Sequence, residues 1–287
     1  METLRKPPWL KKRIPPFQDL QRVKSILVEA DLHTVCEEAR CPNLGECFSQ
    51  GTATLLILGK ICTRDCGFCA VEHGAPAPLV EVEPKHVAQA VKKMGLRYVV
   101  ITSVTRDDLP DGGASYFAKT IQAIRALDPS IKVEVLIPDF RGELDSLRIV
   151  LKERPDVLNH NIETVPRLYP VVRPEANYKR SLDLLKKSKE NYPNILTKSG
   201  FMLGLGETNE EVLDLLLELR EVGCDFLTIG QYLQPHTNRL PVVRYVPPEE
   251  FEVYRKIGEG MGFKMVSSGP FVRSSFHAFQ MFDANIL

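Results

Sequence analysis

Along most of the chain, short apolar runs alternate with longer stretches in which apolar residues return every three or four positions. The runs predict strands at Ala53–Leu58, Tyr98–Thr102, Lys132–Ile137, Val157–Ile162, Thr197–Leu203 and Phe226–Ile229. The periodic stretches predict helices at Pro84–Met94, Ala114–Leu127, Glu143–Glu153, Lys179–Asn191, Asn209–Val222 and Pro248–Met261. Strands separated by helices of this length pair in parallel through right-handed crossovers. Six such units predict an α/β fold, a partial (β/α)6 TIM-like barrel two units short of the full ring. An incomplete barrel is open at its side, which suits a substrate that is itself attached to a protein.

The pattern differs at the two ends. Pro7, Pro8, Pro15 and Pro16 exclude regular helix from Lys6 to Phe17 and predict an extended arm, basic through Arg5, Lys6, Lys11, Lys12 and Arg13. A helix is expected over Phe17–Glu29, where Leu20, Val23, Ile26 and Leu27 share a face. The expected organisation is an N-terminal extension of residues 1–52, a barrel of residues 53–262 and a C-terminal extension of residues 263–287.

Composition narrows the classes. With 287 residues, 44% apolar and 26% charged, the chain can bury a barrel-sized core. Lys+Arg and Asp+Glu are both 37, which argues against a nucleic-acid binder working through a broad basic surface. No signal-peptide pattern and no long apolar stretch is apparent, so a cytoplasmic protein without a membrane span is expected. Six of the seven cysteines fall in two tight groups, which in a reducing compartment read as metal ligands rather than disulfides.

The first group to consider is Cys62-Thr63-Arg64-Asp65-Cys66-Gly67-Phe68-Cys69. Three thiols in so polar a loop converge on something, and three sulfurs suit a soft metal, either zinc or an iron–sulfur cluster. Structural zinc wants four ligands, and no fourth follows here. The spacing favours a cuboidal cluster with one iron left open to chelation. The second group, Cys36, Cys41 and Cys47, sits in a turn-rich polar segment with Pro42 and Gly45, a poor home for cysteine as a hydrophobe.

Other candidate chemistry lies where the predicted strands end, the rim on which barrel sites are built. The loop Asp107 to Gly113 is either a capped helix entry or an acceptor for an ammonium group. Asn161 and Glu163, two apart on one predicted strand face, suit ribose hydroxyls, while His160 points oppositely and reads as structural. Arg173 suits either a carboxylate ligand or a surface salt bridge. Lys198 is either catalytic or solvent-facing. Gly204-Leu205-Gly206-Glu207 lacks the context of a phosphate loop, and close backbone approach to adenine or substrate is expected instead. Cys224 reads as a core thiol.

Cys62-x3-Cys66-x2-Cys69, with Phe68 before the last cysteine, resembles the motif of the radical S-adenosylmethionine enzymes. Cys36-x4-Cys41-x5-Cys47 and Arg273-Ser274-Ser275 narrow the resemblance to the lipoyl synthase family. So do Thr102-Ser103-Val104 with Arg106-Asp107-Asp108-Leu109, Val172-Arg173-Pro174, and Lys198-Ser199-Gly200. Phe276 stands where that family usually has tyrosine, which keeps the ring and loses a hydroxyl.

The resemblance implies two 4Fe-4S clusters and S-adenosyl-L-methionine. Cys62, Cys66 and Cys69 would hold the cluster that reductively cleaves S-adenosylmethionine. Cys36, Cys41, Cys47 and the serine Ser275 would hold an auxiliary cluster that donates sulfur. Phe68, Thr105, Asp107, Asn161, Glu163 and Arg173 would contact S-adenosylmethionine. The implied activity is a sulfurtransferase inserting two sulfurs at the sixth and eighth carbons of a protein-bound octanoyl-lysine. The implied partners are octanoylated lipoyl carrier domains, namely E2 subunits of 2-oxoacid dehydrogenases and the H protein of glycine cleavage. An electron donor such as ferredoxin or flavodoxin is implied as well, acting on a monomer. Biotin synthase, the nearest rival, draws its second set of cluster ligands from barrel strands, whereas here they precede the barrel.

Overall fold

Parallel strands of almost uninterrupted burial lie at the centre of each of the two units into which the chain divides. One unit comprises residues 13–64 and 71–158, the other residues 1–12, 65–70 and 159–287. The computed structural model describes residues 4–12 and 15–284. Arg13, part of the basic arm, lies outside the described residues.

The first unit opens with helix α1 (Phe17–Glu29), which buries Leu20, Val23 and Leu27. The short strand β1 (His33–Thr34) pairs antiparallel with β2 (Thr54–Ile57), and between them lie α2 (Val35–Glu38) and α3 (Leu44–Ser49). Thr34 caps α2 by accepting from the Glu37 N–H at 3.2 Å. A two-stranded ribbon, β3 (Ile61–Cys62) with β4 (Glu72–His73), brackets the cysteine loop.

The sheet continues through helix α4 (Glu83–Met94), strand β5 (Tyr98–Ser103), helix α5 (Ala114–Leu127), strand β6 (Lys132–Leu136), helix α6 (Leu144–Lys152) and strand β7 (Val157–Asn159). Strands β2, β5 and β6 pair in parallel. Helix α4 stops where Gly95 turns left-handed at φ 72°, a conformation that glycine adopts without a Cβ penalty.

The second unit contains α7 (Tyr169–Val172), α8 (Tyr178–Asn191), β8 (Leu196–Leu203), α9 (Asn209–Glu221), β9 (Phe226–Gln231), α10 (Pro248–Gly260), β10 (Met265–Gly269) and α11 (Ala278–Asp283). A reciprocal cap starts α9: the Glu211 N–H reaches Thr208 Oγ1 at 3.2 Å, and the Thr208 N–H reaches Glu211 Oε2 at 2.8 Å. Strands β8, β9 and β10 are parallel, and Phe201, Leu203, Leu216, Leu227, Phe251 and Val266 fill the core against the helices. Among the described residues no helix is long and apolar enough to cross a membrane.

Three expected boundaries change, each for a physical reason. The first strand stops at Ile57 because the Leu58 N–H turns to Glu83 Oε2 at 2.9 Å and Leu58 adopts φ 70°. The strand expected to reach Ile162 is regular only to Asn159; the chain then pairs irregularly along β8, Glu163 still bridging Phe201 while its φ of 67° turns the Thr164 N–H onto the Ile162 carbonyl at 2.9 Å. Asn161 and Glu163 therefore lie on the irregular stretch that leads into this turn. Met265–Gly269, expected within an extension, instead pairs with β9 over five positions. The arm is also tied down, with Leu10 buried and the Lys12 ammonium 4.8 Å from the Phe271 ring centroid and 5.0 Å from that of Phe276.

At the N-terminal ends of β8 and β9, Asp225 accepts from the Thr197 N–H at 2.9 Å and from Lys189 Nζ at 2.6 Å, with Lys264 Nζ at 3.1 Å. Burial opposes ionisation, but these donors and charges outweigh it and hold the carboxyl below its ordinary value. Replacing Asp225 by alanine is expected to cost about 3 kcal/mol, because two partners lose their counter-charge. A depressed carboxyl stabilises fully above its unfolded pKa of about 3.9 and loses that contribution as pH falls through the lower folded value. Urea unfolding should thus separate wild type from variant at about pH 7 and show the gap closing below about pH 4. A gap independent of pH would contradict the assignment.

Candidate active site

The cysteine loop is fastened through a buried arginine that belongs to the motif itself. Arg64, 5% exposed, forks onto Asp107, with Nε to Oδ2 at 2.6 Å and Nη2 to Oδ1 at 2.9 Å, and Nη2 also reaches Asp139 Oδ1 at 2.7 Å. Burial works against the charge. The hydrogen bonds and negative charges of Asp107 and Asp139 overcome it and raise the guanidinium above its usual pKa.

Thr63 adds a second fastening, donating through Oγ1 to the Thr105 carbonyl at 3.0 Å while accepting from the Asp107 N–H at 3.0 Å. The Thr105 N–H in turn lies 3.3 Å from Cys62 Sγ, and the Arg64 N–H lies 3.5 Å from it. Two main-chain donors directed at one sulfur would tune any iron bound to it.

The rest of the acidic loop serves structure. Arg106 pairs bidentately with Asp108, and Asp111 caps the entry to α5 by accepting from Gly113 and Ser115 N–H groups at 2.9 and 2.8 Å. The capped-entry reading therefore holds for this stretch. Asp107, expected to meet an ammonium, anchors Arg64 and has Arg141 Nε 3.4 Å away.

Residues 65–70 belong to the second unit. There the Gly67 N–H donates to the Val172 carbonyl at 3.0 Å, its carbonyl accepts from the Leu240 N–H at 2.9 Å, and the Cys69 N–H closes a turn onto the Cys66 carbonyl at 3.1 Å. A Cβ on Gly67 would stand 2.9 Å from both Val171 O and Leu240 Cδ1, so the glycine permits this close approach. Phe68 packs with Val172, Leu205 and Tyr232 into an apolar wall.

The Asn161 stretch gathers the remaining polar groups of the second unit. Asn161 Nδ2 donates to Glu163 Oε1 and to Ser274 Oγ, each at 3.0 Å, and the Asn161 carbonyl accepts from Arg173 Nη1 at 3.0 Å. Arg173 also donates to the Tyr169 hydroxyl at 3.1 Å and lies over that ring at 5.5 Å. Burial pushes the Glu163 carboxyl up, against the pull of Arg173, Asn161 and Arg273. Asn161 Oδ1 is buried without a hydrogen-bond partner, so this site presents an acceptor awaiting a donor such as a hydroxyl.

Neighbouring features take up structural work. His160 is buried with Nε2 2.9 Å from Ser181 Oγ, as its structural reading requires. Lys198 is fully buried, which removes the solvent-facing alternative. Cys224 is a core thiol, pushed by burial up to about 12, with Sγ 3.2 Å from the Phe226 carbonyl. In the Gly204 loop, Glu207 turns back so that its Oε1 and Oε2 accept from the Gly204 and Leu205 N–H groups at 2.6 and 2.9 Å. A Cβ on Gly204 would strike Gln231 Nε2 at 2.2 Å, so glycine is required for packing within the chain at this position.

Cys36 on α2, Cys41 in the following turn and Cys47 on α3 form the second cysteine set, wholly within the first unit. The Cys41 N–H reaches the Cys36 carbonyl at 3.0 Å, and the Cys47 N–H reaches that of Asn43 at 2.9 Å. Burial chiefly, with the proximity of Cys41 and Cys47, pushes the Cys36 thiol up to about 12 against Thr54 hydrogen bonds that lower it. Three thiols brought together by two short helices and one turn are a soft donor set of the kind that an iron–sulfur cluster takes. Among the described residues no group of three or more His, Cys, Asp and Glu is placed to hold a metal ion. No cysteine among the described residues is joined in a disulfide.

Residues 56–230 match the family model of the Radical SAM superfamily, the class that this parallel α/β scaffold and cysteine loop define. Solved structures agree at the level of fold: methylornithine synthase PylB aligns with TM-score 0.53 at 16% identity over 70% of this chain and 60% of that one. SuiB of Streptococcus suis, solved bound to S-adenosylmethionine, aligns at 0.56 with 12% identity over 75% of this chain and 50% of that one. Residues 1–41 match the N-terminal domain of lipoyl synthase. The chain is 59% identical to the lipoyl synthase of Caldanaerobacter subterraneus subsp. tengcongensis over 96% of each chain. It is likewise 59% identical to that of Rubrobacter xylanophilus over 95% of this chain and 85% of the relative. It belongs to the lipoyl synthase family of radical S-adenosylmethionine sulfurtransferases, and membership of the superfamily brings a 4Fe-4S cluster and S-adenosylmethionine with it.

Proposed function

We propose that the chain inserts two sulfurs into an octanoyl chain on a lipoyl carrier domain, and that Cys36, Cys41, Cys47 and Ser275 hold the second 4Fe-4S cluster, from which the sulfur comes. When bound, the two clusters and S-adenosylmethionine supply the radical reactivity that unactivated chain carbons demand and the sulfide that they receive. The protein's part is to hold, orient and keep dry.

Cys62, Cys66 and Cys69 are the ligands of the first cluster, with the N–H groups of Thr105 and Arg64 directed at Cys62. Asn161 and Glu163 hold ribose hydroxyls, the unpartnered Asn161 Oδ1 being the acceptor that a diol would satisfy. Arg173, already oriented by Tyr169 and the Asn161 carbonyl, takes the methionine carboxylate. Phe68 and its apolar neighbours exclude water on the adjoining side. Serine is a harder and weaker ligand for iron than cysteine, which suits a cluster that is consumed. Octanoylated E2 subunits and glycine-cleavage H protein are the fitting carriers, with ferredoxin or flavodoxin as electron source in a reducing cytoplasm.

The gathering of Cys36, Cys41 and Cys47 on α2, the turn after it and α3 carries this reading. Anaerobic protein should contain about eight irons and eight sulfides, falling to about four in Cys36→Ala. Wild type with an octanoylated carrier peptide, S-adenosylmethionine and a strong reductant should yield product heavier by two sulfurs. Cys36→Ala should form 5'-deoxyadenosine without that product. Sulfur insertion by a variant lacking the second cluster would refute the proposal.

A further inference from the structure

One amide connects two motifs far apart in sequence. Asn161 spends its side-chain hydrogens on Glu163 Oε1 and on Ser274 Oγ, both at 3.0 Å. Ser274 immediately precedes Ser275. The Asn161 backbone is itself fixed, its carbonyl accepting from Arg173 Nη1 at 3.0 Å, so the amide is held between its partners. The remaining atom, Oδ1, is buried without a partner and lies 3.2 Å from where a Gly200 Cβ would be, so the missing side chain leaves it room.

We infer that Ser274 is a positioning residue that links occupancy of the nucleoside site, through Asn161, to the hold on Ser275. The inference rests on the proposed roles of Asn161, Glu163 and Ser275. A ribose hydroxyl donating to Asn161 Oδ1 adds a bond without displacing either existing one. Donation to the carbonyl of an amide polarises it and strengthens what its N–H groups donate, so a bound nucleoside tightens the Asn161–Ser274 bond. The segment bearing Ser275 is then held most firmly while S-adenosylmethionine is in place, and is loosened once the nucleoside product departs.

The surrounding geometry suits such graded control. The segment is packed through main chain at Val272, whose carbonyl would lie 2.2 Å from a Cβ on Gly230, and through the rings of Phe271 and Phe276 beneath Lys12. Within it the Phe276 N–H reaches the Arg273 carbonyl at 3.0 Å and the Ala278 N–H reaches that of Ser275 at 3.4 Å. Ser274 Oγ is therefore one polar tether on this segment, and one hydrogen bond is the right size to tune rather than abolish attachment.

The test is anaerobic, non-reducing iron release from holoenzyme to a colorimetric chelator, with and without S-adenosylmethionine. The trace of Cys36→Ala, carrying the first cluster alone, is subtracted. In wild type, S-adenosylmethionine should slow release from the second cluster roughly fivefold. Ser274→Ala should release fast in both conditions, and Ser274→Thr, which keeps the hydroxyl, should restore the dependence. In apo protein, amide exchange at Phe276 and Ala278 should be several-fold faster in Ser274→Ala than in wild type. Equal exchange and equal release in Ser274→Ala and wild type would overturn the inference, as would wild-type release indifferent to S-adenosylmethionine. Wild type with only about four irons would overturn the two-cluster reading, and the inference with it.

Discussion

Alanine in place of Arg64 is expected to remove about 3–5 kcal/mol of stability, the range for leaving a buried charge without its partner. Asp139, wholly buried, would lose a 2.7 Å counter-ion, and Asp107 would lose a two-pronged one. Lysine should rescue poorly, since a single ammonium cannot reproduce the fork. Denaturant unfolding of apo protein measures the stability directly, and iron content after reconstitution shows whether the loop still presents Cys62. A midpoint unchanged from wild type would show that Arg64 does not fasten the loop.

The second large effect is expected at Gly230. Its added Cβ would stand 2.2 Å from the Val272 carbonyl oxygen, a main-chain atom with no rotamer to escape through. Gly230→Ala should push the Val272–Ser275 stretch off β9 and lower sulfur insertion on the order of a hundredfold, as displacement of a reacting group by about an ångström does. Formation of 5'-deoxyadenosine should fall far less, because the displaced stretch carries one bond to Asn161 but none of Cys62, Cys66 and Cys69. Gly260→Ala, where a Cβ meets nothing within 4 Å, is the matched control and should be silent. Parallel loss of both products in Gly230→Ala would argue for general unfolding instead.

Local pattern carried most of the architecture. Helix α5 falls on Ala114–Leu127 as its periodicity predicts, and β5 starts at Tyr98 and ends one residue beyond the expected Thr102. What local pattern could not supply was long-range pairing. Met265–Gly269 ends in Ser267-Ser268-Gly269, without the apolar run that marks a strand, and becomes one only by lying along β9.

The cysteine groups were legible because ligand spacing is a sequence property, whereas the partner of each charge was not. Arg64 stands in plain view between Cys62 and Cys66, yet its distance in sequence from Asp107 and Asp139 hides the ion network. Asp107 correspondingly looked like a ligand-binding carboxylate. Lys198 offered no signal that its side chain would be wholly enclosed. Ser274 and Ser275 are alike in local sequence, with resemblance alone choosing Ser275, and the bond from the Asn161 amide to Ser274 was not legible there.

The Gly204 loop has the main-chain donors of an anion seat, and Glu207 already sits in it. ATP, free phosphate or sulfate arriving there would meet a resident negative charge in place of open donors. The enzyme should consequently be indifferent to cellular adenylate and phosphate levels at that position, and a tightly bound nucleoside triphosphate would have to be accommodated elsewhere.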